Sequence, residues 1–165
     1  MATNEVNYPY LHPKGNIAYV AKDNPFMIAA RAYAKEHSLD ELMPNASVIV
    51  KGNDIVASAA NGSDYHKTNE CVRIKRNIPT GQGYELCEGC HPKNHSESSA
   101  VLAAAQAGQD VNGAELYLWG HWWCCEPCWQ NIVSAGITQV YLLEGSQDYF
   151  NKASSNNAVG RQFEI

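Results

Sequence analysis

Two short motifs constrain this chain more than any other feature: His95-x-Glu97 and, thirty positions on from the His, Cys125-x-x-Cys128. One imidazole and two thiolates are three ligands for zinc, and catalytic zinc sites keep a fourth position open. The chain must therefore bring these side chains to one point. The residues between them supply the means. Glu97 to Ala107 reads as a helix closed by Gly108, Ala114 to Trp119 as a strand, and Glu126 to Ala135 as a second helix stopped by Gly136. Helix, turn and strand are what a right-handed crossover needs to return the next helix start beside the first. Both motifs then sit at helix N-termini, whose partial positive charge favours thiolate over thiol. Glu97 is not needed as a ligand and is placed to carry protons, the work of a general acid–base.

Upstream, residues 1–24 show no clear period and read as an irregular arm with a short strand at Ile17 to Val20. Asn24-Pro25 opens a helix that runs to about His37, with Asn as N-cap and Pro in the first turn. Ala46 to Lys51 and Asp54 to Ala60 read as two strands joined at Gly52-Asn53, a hairpin turn. Residues 62–94 form a long polar loop that holds three of the six Cys, with a short helix around Glu70 to Arg76. A loop of that length in a compact domain is functional or pinned by something. After the last strand, Thr138 to Leu143, a short helix near Asp148 to Ala153 and an edge strand at Gln162 to Ile165 are expected. This is an α/β layered sheet: an arm over residues 1–24 and a single domain over residues 25–165, with residues 62–94 as an insert loop.

A length of 165 residues suits one such domain, and a net charge of −5 argues against a protein built to grip a nucleic-acid backbone. No signal peptide and no apolar run of membrane-spanning length is visible, so six Cys read as metal ligands or buried thiols, and the expected setting is cytoplasmic.

His95-Ser96-Glu97 with Cys125-Glu126-Pro127-Cys128 resembles the zinc-dependent cytidine and deoxycytidylate deaminases, whose signature pairs His-x-Glu with Pro-Cys-x-x-Cys. Asn61-Gly62 after the hairpin, and Cys71-Val-Arg with Ile78-Pro-Thr-Gly and Tyr84-Glu-Leu-Cys87 leading into the His, look most like the deoxycytidylate branch. The likeness covers about residues 25–145. It departs from the pattern at Cys124, where Pro is usual, at Pro127 inside the Cys pair, and at Ser96, where Ala is usual. Cys125 and Cys128 keep the ligand spacing; Cys124 and Cys128 do not. Ala59-Ala60-Asn61-Gly62 keeps the Asn of the nucleotide branch but not its Gly-Tyr, which puts control by nucleoside triphosphates in doubt.

The resemblance implies a three-layer α/β/α sheet with an opening hairpin, a catalytic zinc on His95, Cys125 and Cys128, and Glu97 as the catalytic proton carrier. It further implies Asn61 at the sugar of a small-molecule nucleotide substrate and a homo-oligomer; the lack of a long apolar run argues against a membrane partner and the acidic balance against nucleic acid. The reaction expected is hydrolytic deamination of a free cytosine nucleotide, dCMP to dUMP and ammonia. The alternatives are a deaminase acting on a base in single-stranded RNA or DNA, and a structural zinc-binding module; the module gives Glu97 no role.

Trp122, with His121 and Trp123, precedes the Cys pair and is nominated to stack on the base, against core packing as the competing reading for at least one Trp. Arg73, Lys75, Arg76, Lys67 and Lys93 are candidates for a substrate phosphate, against the reading that each sits on a solvated face. Tyr141 and Tyr149 suit either packing or a phosphate contact. Cys71, Cys87 and Cys90, with His91 nominated as fourth ligand and His66 nearby, have the spacing of a second, structural zinc. The other reading is reduced thiols in a self-packed loop.

Overall fold

The computed structural model describes residues 6–79 and 81–165. In it the chain forms β1 (Asn16–Val20), α1 (Pro25–His37), β2 (Ala46–Lys51), β3 (Asp54–Ala60), α2 (Tyr65–Thr68), α3 (Val72–Lys75), α4 (Ser96–Gln106), β4 (Glu115–Trp119), α5 (Glu126–Ser134), β5 (Gln139–Leu143) and α6 (Ser146–Phe150). Local chemistry accounts for the boundaries. Asn24 Oδ1 accepts from the N–H groups of Phe26 at 3.0 Å and Met27 at 3.1 Å, satisfying two of the orphan donors that open α1. Gly52 and Asn53 both have positive φ, 58° and 70°, the conformation that a tight two-residue hairpin turn demands.

The five strands form one mixed sheet in the order β1-β5-β4-β2-β3. β4 and β5 are parallel, joined through α5, and β1 adds to β5 in parallel; β2 runs antiparallel to both β3 and β4. Strand alternation divides the core in two. Val48, Val50, Tyr117 and Trp119 face α1, where Met27, Ala30 and Ala34 are buried against them with Phe150 of α6. Ile49, Leu116, Leu118, Val140 and Leu142 point the other way, onto Ala100 and Ala104 of α4 and Trp129 and Ile132 of α5. Helices on both faces make three layers, as the α/β reading expects.

Differences lie at the ends and in the insert. The C-terminal segment expected as an edge strand is instead a 3-10 turn at Gln162–Glu164. Gln162 donates to the Leu42 carbonyl at 2.7 Å and Phe163 stacks on Trp119, so the segment caps the α1 face rather than pairing with a strand. The insert carries α2, which its polar sequence did not announce, and only four residues of the helix expected over Glu70 to Arg76. The last helix begins at Ser146 rather than near Asp148. The first five residues of the arm lie outside the described residues; Asn16–Val20 forms the sheet's edge as β1.

Beyond β4 the backbone turns at Gly120, with φ of +94°, into the loop that carries His121 to Cys125. A Cβ there would stand 2.3 Å from the Pro44 carbonyl oxygen and 2.8 Å from Asn45 Cβ. Gly120→Ala therefore combines a strained φ with an overpacked contact and is expected to cost about 2–4 kcal/mol of stability, read from the urea midpoint. An unchanged midpoint would show that the turn relaxes freely.

Candidate active site

His95 and Cys125 occupy the N-cap positions of α4 and α5, so two helix starts converge on one point. His95 Nδ1 lies 3.4 Å from Cys125 Sγ and 3.6 Å from Cys128 Sγ. Nitrogen and sulfur bound to one tetrahedral zinc stand about 3.6 Å apart, given bonds of about 2.0–2.1 and 2.3 Å. The donor set therefore fits zinc in chemistry and in spacing. His95 Nε2 donates to the Cys90 carbonyl at 3.1 Å, which fixes the tautomer and leaves the Nδ1 lone pair facing the thiols. Ser98 Oγ, one turn into α4, donates to Cys128 Sγ at 3.2 Å and accepts from Asn131 Nδ2 of α5 at 3.0 Å.

The hydrogen bond from Cys128, opposed by burial and helped by His95, lowers Cys125 to about 5. Cys128 is raised in turn, because it lends its proton to Cys125 and is buried. The pair thus shares one proton beside an imidazole whose own pKa, although burial lowers it, is carried up by Cys125 and Glu97.

Glu97 is 5% exposed and its carboxyl is pushed up by burial, against the pull of His95. The neighbouring Cys124 thiol pulls this carboxyl the other way and is itself raised well above the usual thiol range by burial and by Glu97. Cys124 thus faces the carboxyl rather than joining the trio of donor atoms. A carboxyl held out of water and shifted toward neutrality suits repeated proton uptake and release.

Glu97, His95 and Cys125 line a cavity of about 590 Å³, a size common for small-molecule sites. His121 and Trp123 line it as well, whereas Trp122, the residue nominated for stacking, packs against the apolar clusters instead. Burial, assisted by His95, lowers His121 to about 4, so its ring is neutral at physiological pH. Its Nδ1 accepts from the Trp123 N–H at 3.3 Å, which leaves the ring proton on Nε2.

Asn61 also reaches the cavity, but most of its amide is committed to the protein. Oδ1 accepts from Ser38 Oγ at 2.6 Å and Asn45 N–H at 2.9 Å, and Nδ2 donates to the Met43 carbonyl at 2.9 Å. One amide hydrogen remains for a ligand.

Of the cations nominated, Lys67 and Arg73 line the cavity; Lys75 and Lys93 are ion-paired with Glu70 and Glu88, and neither they nor Arg76 reach the lining. Tyr141 stacks on Tyr117, its ring centroid 4.7 Å away, and Tyr149 also stays off the lining. Lys152, which follows α6, reaches the cavity from the far end of the chain; no local motif marks it.

The insert loop holds a second set of donor atoms. Cys71, Cys87 and Cys90 gather with His66, not with His91. His91 caps the next 3-10 turn, its Nδ1 accepting from Lys93 N–H at 3.1 Å. The Cys87-x-x-Cys90 spacing pointed to the cluster, but His91 is adjacent only in sequence. His66 is delivered by the unforeseen α2.

Comparison with curated protein sequences gives no match. Among solved structures, the dCMP deaminase of cyanophage S-TIM5 in complex with dCMP and dUMP superposes with a TM-score of 0.51 at 17% identity, over 84% of this chain and 89% of that one. At that identity the likeness is one of fold. The diaminohydroxyphosphoribosylaminopyrimidine deaminase/5-amino-6-(5-phosphoribosylamino)uracil reductase of Thermotoga maritima matches at 23% identity and a TM-score of 0.44. That match covers 71% of this chain and 28% of the Thermotoga protein. The guanine deaminase of Bacillus subtilis gives 20% identity and 0.44, over 73% of this chain and 62% of that one. The model of the cytidine and deoxycytidylate deaminase zinc-binding region matches residues 20–144, a span holding the hairpin, both motifs and all six Cys, and the chain belongs to that family.

Proposed function

We propose that this deaminase acts on a free cytosine nucleotide, converting dCMP to dUMP with release of ammonia. The observation that carries the reading is the buried Glu97 carboxyl set beside the His95, Cys125 and Cys128 donors at the wall of a cavity. Zinc held by those three side chains supplies Lewis acidity, the chemistry that makes water a nucleophile near neutral pH. The protein's own part is proton movement. Glu97 takes a proton from the water that attacks C4 of the base, delivers it to the ring nitrogen N3, and hands the second to the departing exocyclic amine. The C4–N bond breaks, oxygen stays on C4, and ammonia leaves.

Cavity lining supports a single nucleotide. Trp123 and neutral His121 offer a flat wall for a base, and the spare Asn61 hydrogen suits a sugar hydroxyl. Arg73 and Lys152 give local positive charge for a phosphate in a chain of net charge −5, with Lys67, ion-paired to Asp64, beside them. That overall charge disfavours a nucleic-acid strand, whose grip would need a wider basic surface. A homo-oligomer in the cytoplasm fits this reading. Among the described residues no helix is long and apolar enough to cross a membrane.

Incubation with dCMP, CMP, deoxycytidine, dCTP and a cytosine-containing oligonucleotide, followed by product analysis, tests the substrate. dCMP is expected to react fastest; turnover confined to the oligonucleotide would sink the free-nucleotide reading. Glu97→Gln is expected to lower kcat by at least about a thousandfold with zinc content unchanged, since it removes the proton carrier and no ligand. Ser98→Ala leaves Cys128 without its donor and is expected to weaken zinc retention about tenfold in chelator competition, with the far-ultraviolet spectrum unaltered.

A further inference from the structure

We propose that Tyr84 is a positioning residue for the deamination, its ring orienting His95 and its hydroxyl holding the turn that backs Trp123. The proposal rests on the readings of His95 as a metal ligand and of Trp123 as a wall for the base. Tyr84 opens the 3-10 turn Tyr84–Leu86, in the run that leads to His95, and lines the cavity.

The centroids of the Tyr84 and His95 rings are 4.8 Å apart and their planes meet at 89°. A perpendicular contact at that distance is directional, since the positive edge of one ring meets the negative face of the other. The hydrogen bond from His95 Nε2 to the Cys90 carbonyl, at 3.1 Å, fixes the imidazole at one atom, about which the ring can still pivot. Such a pivot would carry Nδ1 away from Cys125 Sγ at 3.4 Å and Cys128 Sγ at 3.6 Å. The aromatic contact removes that freedom, the part that partners of a ligating imidazole play.

Tyr84 is itself held at both its ring and its hydroxyl. The Arg73 guanidinium lies over the ring, 4.3 Å from the centroid, and donates to the Gln82 carbonyl at 2.9 Å and the Pro79 carbonyl at 3.0 Å. A cation already tied to the loop backbone thus grips the ring through its π face. The hydroxyl accepts from the Gly81 N–H at 3.0 Å. Gly81 has a φ of +93°, and a Cβ on it would stand 3.3 Å from the Trp123 ring, so its backbone lies close against the indole.

Open space makes this support necessary. Tyr84, Trp123 and Cys125 line the main cavity and also a second one of about 380 Å³, bounded by Tyr10, Gly81 and Pro127. They therefore stand between two cavities, and an indole with free volume on its far side can tilt away from a base pressed against it. The bond from Gly81 to Tyr84 fixes the stretch of backbone that meets the indole there. One side chain serves the metal ligand through its ring and the base wall through its hydroxyl, and the two parts can be removed separately.

The test compares the wild type with Tyr84→Phe, Tyr84→Leu and Tyr84→Met, and with Cys125→Ser as a ligand-loss control, each purified without chelator. Zinc release to a chromogenic chelator is followed, the phase lost in Cys125→Ser being that of the His95 site, and steady-state kinetics are measured with dCMP. Tyr84→Phe keeps the ring: zinc is expected to leave at the wild-type rate, while KM rises about threefold to tenfold with kcat unchanged, the loss of one hydrogen bond. Tyr84→Leu and Tyr84→Met lose the ring and are expected to release that zinc about tenfold faster. Met fills the same space with a flexible chain, so the measurement stands if the Leu variant does not fold.

Wild-type release from the variants without the ring would overturn the role of the ring, and an unchanged KM in Tyr84→Phe that of the hydroxyl. A Cys125→Ser protein that keeps every zinc phase of the wild type would instead remove the reading of His95 and Cys125 as ligands. A wild type that leaves dCMP unreacted would remove the substrate reading and the base-wall role together.

Discussion

Everything at the site depends on how closely the start of α4 lies against the sheet. Ser96, Ala100 and Ala104 recur at intervals of four on one face of that helix and are all fully buried. Small side chains let the helix backbone approach β2 and β3, and Ser96 Oγ meets Ser47 Oγ of β2 at 2.9 Å to satisfy both hydroxyls in the interior. A larger residue at Ser96 would lift the helix start and carry His95 and Glu97 with it. α5 reaches the same place by another route. It is anchored by Trp129 and Ile132 on the same sheet face, so its first turn presents Cys125 and Cys128 to His95. The convergence of His95, Cys125 and Cys128 is thus a consequence of two helices packed on one face of a sheet, with their N-termini at the same edge.

The electrostatics follow from that burial. A carboxyl taken out of water resists ionisation, and the groups that oppose this at Glu97 are the His95 imidazole, a backbone N–H and the Cys124 thiol. Cys124 occupies the position where the family pattern has a Pro, so this chain places a thiol beside the Glu97 carboxyl. His121 shows the opposite response to the same environment, its imidazole held neutral by burial and by the neighbouring His95. Glu97, Cys124 and His121 are thus each driven toward neutrality, whereas Cys125 and His95 are shifted toward their charged forms.

Most of the fold was legible because its signals are local. The Asn24-Pro25 start, the Gly52-Asn53 turn and the alternation through Ala46 to Lys51 are each decided within a few residues, and the helices after His95 and Cys125 carry their own stops. What escaped depends on contacts far apart in sequence. Gln162 to Ile165 has strand-like composition, yet Trp119 offers Phe163 a stacking face and the Leu42 carbonyl takes the Gln162 amide, so a turn wins. Trp122 and Trp123 are equivalent as letters; only the direction of the loop after Gly120 decides which of them lines the cavity. Asn61 reads as a sugar contact, but the loop around Met43 to Asn45 needs its carbonyl and amide first. The choice between His66 and His91 turns on α2, a four-residue helix too short to announce itself.

The insert loop shows why a metal-ligand pattern in sequence can be more informative than hydrophobicity. Among its described residues only Cys87 and Gly89 are buried, so the loop has almost no apolar core of its own. Ordering so long a segment costs conformational entropy at every residue, and surface ion pairs such as Lys67 with Asp64 return little of it. Yet the loop supplies both the acceptor for His95 Nε2 and one wall of the cavity. A wall made of polar residues has to be held by directional bonds rather than by packing. Backbone hydrogen bonds to Arg73 and Asn94 provide some of these. Among the described residues of the loop, three sulfurs and an imidazole also converge at its centre, within 4.8 Å of one another, and add directional contacts of their own.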